Sequence, residues 1–575
     1  MFSLTELKID RMNQNMKRLA IVTIAGSLVA SCSLLKDLNY TVTPNPLEMH
    51  GDSVRVKVDV TFPTKGLKKK ASIEITPMLG NTALNSITVL GEKSTGNGTT
   101  IMYKPGGLVS YEDVVAYKPD FETTELTVSG RVFKGGVEKL ITPSKKIAEG
   151  TIVTPLLVNK DFKVASIKDN HQNVREEVYT AQINYLKAKS DLQASELEKE
   201  SLKNFEKWLA EAQNNPKIKI KDIQVVGYAS PEGEENKNNT LSTNRATTGK
   251  NTAIELARKS KNEAVQKEIY SLLGRGEDYE GFKKELEKSA MDQDEKQLVI
   301  RVLEMYKDPI QRETEMRNMA KTFSYLDQNV FPKLRRAEIK VTYETTGHSD
   351  ELYLLIAKTN PEKLSVEELL YAASIQKDMN EKGLIYGAAE NLYPTDYRTS
   401  NNLGVVLFNQ GKFNEAEAKF EKANNLKDNG VSKNNLAATY GVKGDLKRAK
   451  EMLAKASGAG EEGNYNKGIL NIIEGNYSNA ISNLGDNNTF NKALAYVLNK
   501  EYDAAKSSIE ASSDKSTAQG FYLKAIIATR TDKVDEAVTM LKNAFEKDGA
   551  FKQKATKDKE FMKLTANVNF IAIIK

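Results

Sequence analysis

The sequence predicts a multidomain chain: an antiparallel β-sandwich, then an α+β domain with a helical insertion, then an all-α array of helix pairs. Three observations predict it. Apolar and polar residues alternate with period two over residues 40–143. Strand, helix, strand, glycine-marked loop and helix succeed one another over residues 175–343. Beyond Asn360-Pro361, small and apolar residues recur 33 positions apart. At 575 residues the chain exceeds a single core, given about 100–200 residues per domain. With 28% charged residues it is too polar to lie inside a bilayer. A net charge of +6 spread along this length, without a basic arm, argues against a nucleic-acid partner. His50, His171 and His348 stand far apart and no HExxH or Cys/His spacing occurs, which argues against a metal site.

The first element is a leader. Lys17-Arg18 precede a mostly apolar run over residues 19–30, the length of a signal-peptide core and short of the roughly 20 residues that span a bilayer. Met16, directly before Lys17, offers an alternative start. The run ends in Val29-Ala30-Ser31-Cys32, which resembles a bacterial lipobox. The resemblance implies a signal peptide over residues 1–31 and acyl chains on Cys32, the single cysteine; no other cofactor is expected. Each buried CH₂ contributes about 0.8 kcal/mol, so two or three chains hold a protein on a membrane. Ser33 stands where an acid would favour the inner membrane, and residues 33–37 lack an acid-rich export tail. The expected location is the outer membrane, facing the periplasm.

The β-sandwich is placed at residues 38–160. Val54, Val56, Val58, Val60 and Phe62 alternate with Arg55, Lys57, Asp59 and Thr61, one face buried and one wet. Residues 71–76 and 126–132 repeat the pattern, and residues 94–98 and 134–136 carry turn glycines. No catalytic constellation is present there.

Residues 175–345 carry the most information. Tyr179, Ala181, Ile183 and Tyr185 alternate as a strand, and Ser195-x-x-Glu198 reads as a capping box before Leu202, Phe205, Leu209 and Ala212 at helical spacing. Residues 218–226 form a second strand, residues 227–233 a loop, and residues 337–343 a last strand; a helical insert is expected over residues 259–330. Gly227, Gly233, Asn238, Leu241, Ser242, Arg245 and Ala246 match, without a gap, the pattern G-H-T-D-x-x-G, four residues, N-x-x-L-S-x-x-R-A. The stretch therefore resembles the OmpA-like peptidoglycan-binding domain. That resemblance implies a site at Gly227, Ser230, Asn238 and Arg245, with Arg245 taking the carboxylate of a wall peptide's side arm. The chain departs from the pattern at Ser230, in place of Asp, and Tyr228, in place of His. A hydroxyl cannot supply a charge-assisted bond, worth about 1.5–3 kcal/mol, to an amine. Glu232, Glu234 and Glu235 are the carboxylates at hand as substitutes.

Residues 360–575 form the array. Leu403, Gly404, Gly411, Ala416, Phe420 and Ala423 recur 33 positions later as Leu436, Ala437, Gly444, Ala449, Leu453 and Ala456. An earlier copy begins near Ser365-x-x-Glu368, and later copies follow at steps of 31, 25 and 32. This resembles the tetratricopeptide repeat, about 34 residues long, stacked about five times. Such arrays carry no catalytic groups and present a concave groove; here Asn401, Val405, Phe408, Asn434 and Ala438 are expected to line it for a protein segment.

Neither a nucleophile elbow nor a phosphate loop is present, and no catalytic residue is expected. The expected function is a lipid-anchored outer-membrane scaffold that recruits a periplasmic or outer-membrane protein, such as an assembly or secretion complex, and contacts peptidoglycan. The alternative is a passive tether between outer membrane and wall.

Overall fold

Alternation builds the first sheet. In the strand Ser53–Phe62, Val54, Val56, Val58, Val60 and Phe62 are buried while Arg55 and Lys57 face water. Asn39–Val42, Leu47–His50 and Gly107–Ala116 pair with it antiparallel. A second sheet runs in the order Val137–Ile141, Leu126–Lys134, Ala71–Leu79, Ile87–Gly91, Thr99–Ile101. Its Ala71, Ile73, Ile75, Val128 and Val132 share one apolar core with the valines of the first. Two short ladders depart from the expected antiparallel pattern: Thr151–Ile152 runs parallel to Leu47–His50, and Thr99–Ile101 parallel to Ile87–Gly91.

The structure, a computed structural model, describes residues 36–575; the signal segment and Cys32 lie outside the described residues. The chain divides into two compact units: residues 36–168 together with Asp378–Lys575, and Asp169–Lys377. No helix among the described residues is long and apolar enough to cross a membrane.

In Asp169–Lys377 a four-stranded sheet has the order Val174–Asn184, Arg336–Thr346, Ile218–Ala229, Tyr270–Glu277. The first three are antiparallel and the last is parallel to its neighbour. Leu202, Phe205 and Leu209 of Glu200–Asn214, with Ala246, Ala253 and Ala257 of Glu235–Lys259, cover the face carrying Ile183, Val225 and Ile339. Two expectations need correction here. Tyr270–Glu277 falls within the expected helical insert yet is a strand; a short apolar run is ambiguous by periodicity, and backbone pairing with Ile218–Ala229 decides it. Before that strand the insert has only two short 3-10 turns, Glu263–Val265 and Lys267–Ile269; its α-helices begin at Tyr279, with their own core of Phe282, Leu286, Val299, Leu326 and Phe331. The Ser195 capping box also does not form. Ala194–Leu197 is a single turn, the long helix starts at Glu200, and Glu198 pairs instead with Lys203. The box at Ser365 and Glu368 does form, opening Val366–Ile375.

The array contains five helix pairs among the described residues, from Tyr397–Asn409 with Phe413–Leu426 through to Ala518–Arg530 with Val534–Lys547. The 25-residue step has a plain cause: Tyr477–Leu484 and Phe490–Leu498 are 8 and 9 residues long, against 14 for Phe413–Leu426.

The sandwich and the array, separate stretches of sequence, fold into one unit. Gly51 and Gly475 meet backbone to backbone, each at positive φ, and a Cβ on Gly51 would lie 2.6 Å from the Glu474 carbonyl carbon. The Tyr477 hydroxyl accepts from Gly51 N–H at 3.1 Å. At the end of the array Glu560, almost fully buried, accepts from Thr154 Oγ1 and pairs with Arg530.

Next to it Asp558 accepts from the Tyr522 hydroxyl at 2.6 Å and from Glu560 N–H at 3.0 Å. Burial, helped by the Glu560 charge, pushes its carboxyl up to about 6. A folded-state value above the unfolded one stabilises below about pH 4, and that contribution is lost as pH rises through 6. Asp558→Asn removes the charge, keeps Oδ1 as the acceptor for Glu560 N–H, and turns the other contact round, with Nδ2 donating to the Tyr522 hydroxyl oxygen. We expect it to stabilise the chain by about 2–3 kcal/mol at pH 7.5 and by almost nothing at pH 4, read from paired denaturation curves.

Candidate functional site

Of the residues that match the pattern, Gly233, Asn238, Leu241 and Arg245 line one cavity of about 680 Å³ in Asp169–Lys377, together with Ser230, while Gly227, Ser242 and Ala246 are not part of its lining. Gly227 lies inside the strand Ile218–Ala229, against the Glu235–Lys259 helix; a Cβ there would lie 1.9 Å from Ser242 O, so only glycine permits the approach. Gly233 closes the loop and donates its N–H to Glu313 Oε1 at 2.5 Å. Asn238 Nδ2 donates to Ser230 O, Gly233 O and Glu277 Oε1, at 3.3, 3.5 and 2.8 Å. Asn238 therefore ties the loop to the neighbouring strand.

Arg245 is 1% exposed, and it lines the cavity. Its Nε donates to Lys189 O, Nη1 to Tyr228 O and Nη2 to Leu186 O, at 3.0, 2.8 and 3.3 Å. Desolvation holds its guanidinium down at about 10. Three of the five N–H bonds are thereby spent on the backbone, and one remains on each terminal nitrogen. Two N–H bonds on adjacent nitrogens are what a bidentate carboxylate requires.

Beside Ser230 the cavity wall carries a carboxylate two residues on. Ser230 Oγ accepts from Arg335 Nε at 3.3 Å, and Glu232 Oε1 accepts from Arg335 Nε and Nη2 at 3.0 and 2.7 Å. Glu232 is buried and lines the cavity, and among the described residues its Oε2 has no hydrogen-bond partner. Arg335 also pairs with Asp327 at 2.7 Å, and Asp327 with Lys187 at 2.8 Å. Burial raises the Asp327 carboxyl, but its bonds to Lys187 and Arg335 outweigh this and hold it below the usual range. Lys187 and Arg317 add cationic groups to the lining. The arrangement suits a dipolar ligand, with an ammonium at Glu232 and a carboxylate at Arg245. Among the described residues no group of three or more His, Cys, Asp or Glu is placed to hold a metal.

The groove residues have a different fate. A connector, residues 157–168, without regular secondary structure beyond Leu157, lies against the first helices of successive pairs of the array. Asn401 Nδ2 donates to Ala165 O, and Asn434 Nδ2 to Lys163 O, both at 3.2 Å. Val405 and Phe408 are half-buried against the array core, and Ala438 is wholly inside it. The main hold comes from asparagines that sequence reasoning passed over. Asn402 accepts from Ile167 N–H at 2.7 Å and donates to Ile167 O at 2.9 Å. Asn435 does the same for Ala165, both bonds 2.8 Å, and Asn466 for Lys163, both 2.7 Å. Asn491 does so for Asn159 at 2.8 and 2.9 Å. Each sits on the first helix of a successive pair, and the connector runs against the direction of the repeats. The signal was available: the pairs Asn401-Asn402 and Asn434-Asn435 stand 33 residues apart.

The tetratricopeptide repeat family matches residues 398–423. Among solved structures the chain is similar to a tetratricopeptide repeat protein from Parabacteroides merdae, with 15% identity and TM-score 0.26 over 37% of this chain and 91% of that one. It is similar to the Cut9-Hcn1 hetero-tetramer of the APC/C, with 14% identity and TM-score 0.29 over 39% of this chain and 45% of that one. A third similarity is to yeast Tom70, with 14% identity and TM-score 0.23 over 60% of this chain and 68% of that one. No curated protein matches in sequence.

Asn435→Ala removes the acceptor for Ala165 N–H, while Ala165 O keeps its bond from Asn401. One orphaned donor costs about 1–3 kcal/mol. We expect that loss in denaturant unfolding, with faster hydrogen exchange at the Ala165 amide than in the native chain.

Proposed function

We propose that this chain is a non-enzymatic scaffold of the bacterial cell envelope, held on the outer membrane through acyl chains on Cys32, facing the periplasm, and contacting peptidoglycan through Asp169–Lys377. The observation that carries the reading is the free Oε2 of buried Glu232, set in the same cavity wall as Arg245. An OmpA-like domain takes a wall peptide's side arm by its carboxylate and its amine together. Arg245 provides for the first, and Glu232 provides the negative charge that Ser230 lacks. The lipobox-like Val29-Ala30-Ser31-Cys32 supports the anchor.

The repeat array belongs to a family that serves as a protein-interaction scaffold, and recruitment of a periplasmic or outer-membrane protein remains part of the proposal. One observation favours the passive tether instead: Asn401 and Asn434, expected to meet a partner, already bond the chain's own connector.

Sedimentation of the full chain with purified sacculi tests wall contact. Native protein should pellet with the sacculi and be released by free meso-diaminopimelate. Glu232→Gln keeps the acceptor for Arg335 but removes the charge, and retention should fall about ten- to a hundredfold, the loss of one charge-assisted bond. Equal retention of native and variant overturns the role of Glu232, and no retention of the native chain overturns wall binding.

A further inference from the structure

The connector is recognised in two distinct ways. Its main chain is read at residues 159, 163, 165 and 167 by Asn491, Asn466, Asn435 and Asn402. Its side chains are read at fewer positions, and the first is Asp161, whose Oδ1 accepts from the Tyr465 hydroxyl at 2.9 Å and from Asn491 Nδ2 at 3.3 Å. Phe162 is 4% exposed and lies over Gly441, where a Cβ would come within 2.5 Å of the ring. Val158 joins the same core, and Val164 packs half-buried against it. Lys160, Lys163 and Ser166 remain exposed. Every one of these contacts is available to a peptide that is not part of the chain.

We propose that the face of the array carrying these asparagines is a peptide receptor, closed in cis by its own connector, and that its ligand in trans is an extended segment of the pattern Val-x-x-Asp-Phe-x-Val. The asparagines accept any main chain in extended form, so selectivity rests on the pocket above Gly441, the two flanking valine sites and the Tyr465 hydroxyl that binds the Asp161 carboxylate. The attached copy competes at an effective concentration of about millimolar, so a partner's segment enters only when the connector is withdrawn or outcompeted. This inference is independent of wall binding, since it concerns the other unit.

A fluorescent peptide of residues 157–168 is the probe, titrated by anisotropy against the full chain. Val158→Ser, Phe162→Ser and Val164→Ser together weaken the attached copy and should raise peptide affinity at least about tenfold over the native chain. Adding Gly441→Leu fills the phenylalanine pocket and should abolish the gain. A folded triple variant that binds no better than native, or binding that survives Gly441→Leu, overturns the proposal. If the triple variant loses its helical circular dichroism, the native chain is used with millimolar unlabelled peptide. Accelerated exchange at the Ala165 and Ile167 amides then supports displacement, and unchanged protection overturns it.

Discussion

A strand laid against helices has no neighbouring strand to satisfy it, and the rest of this structure depends on how that problem is solved. Every buried N–H and C=O needs a partner. A side-chain amide carries one acceptor and a donor at nearly the spacing of a peptide group, so asparagine can close a two-bond ring with a single residue of an extended chain. Four such rings, at Asn159, Lys163, Ala165 and Ile167, let the connector lie in the array with its polar backbone satisfied. Without them, burial of Leu157, Val158 and Phe162 in the array core would strand the groups between them. The sandwich then adds its own contacts, at Gly51 with Gly475 and at Thr154 with Glu560.

Much of this was legible in advance because the relevant signals are local. The Val54 to Phe62 alternation fixes a strand and its wet face, and the 33-residue recurrence around Gly404 and Ala437 marks stacked helix pairs. The helix bearing Arg245 is equally plain, but the expected loop over residues 227–233 is shortened to 230–234, because pairing with the neighbouring strands carries Ile218–Ala229 three residues further. What escaped depends on distant partners. Tyr270–Glu277 has too short an apolar run to declare itself, and only Ile218–Ala229 beside it makes a strand. Ser195 has the chemistry of a cap, but the helix begins beyond it. Asn401 and Asn434 were read as a polar lining, and nothing local shows that their occupant lies more than 230 residues upstream in the same chain.

The cavity sets a buried carboxylate, Glu232, and a buried guanidinium, Arg245, in one wall. Ser230 brings a hydroxyl to that wall, and Glu232, two positions on, brings the negative charge. Arg335 holds one oxygen of that carboxylate in a buried pair, which fixes the orientation of the other. Breaking such a pair by removing one partner leaves an uncompensated charge inside the protein, whereas a neutral isostere leaves the geometry in place. Arg245 is constrained in the same manner, its guanidinium pinned by three carbonyls before any ligand arrives. Preorganisation of this kind lowers the ordering cost of binding.

Because the ladder grips amide groups that every residue possesses, it is blind to most of the letters written along the connector. Lys160, Lys163 and Ser166 project outward, so mutational drift at those places leaves the path of the strand untouched. Phe162 enjoys no such latitude, since its ring and the bare Cα of Gly441 fill one another's space. Related chains are therefore free to diverge widely through this stretch while preserving a single aromatic–glycine couple, and that couple, rather than overall similarity, is the mark by which the same threading would be found elsewhere.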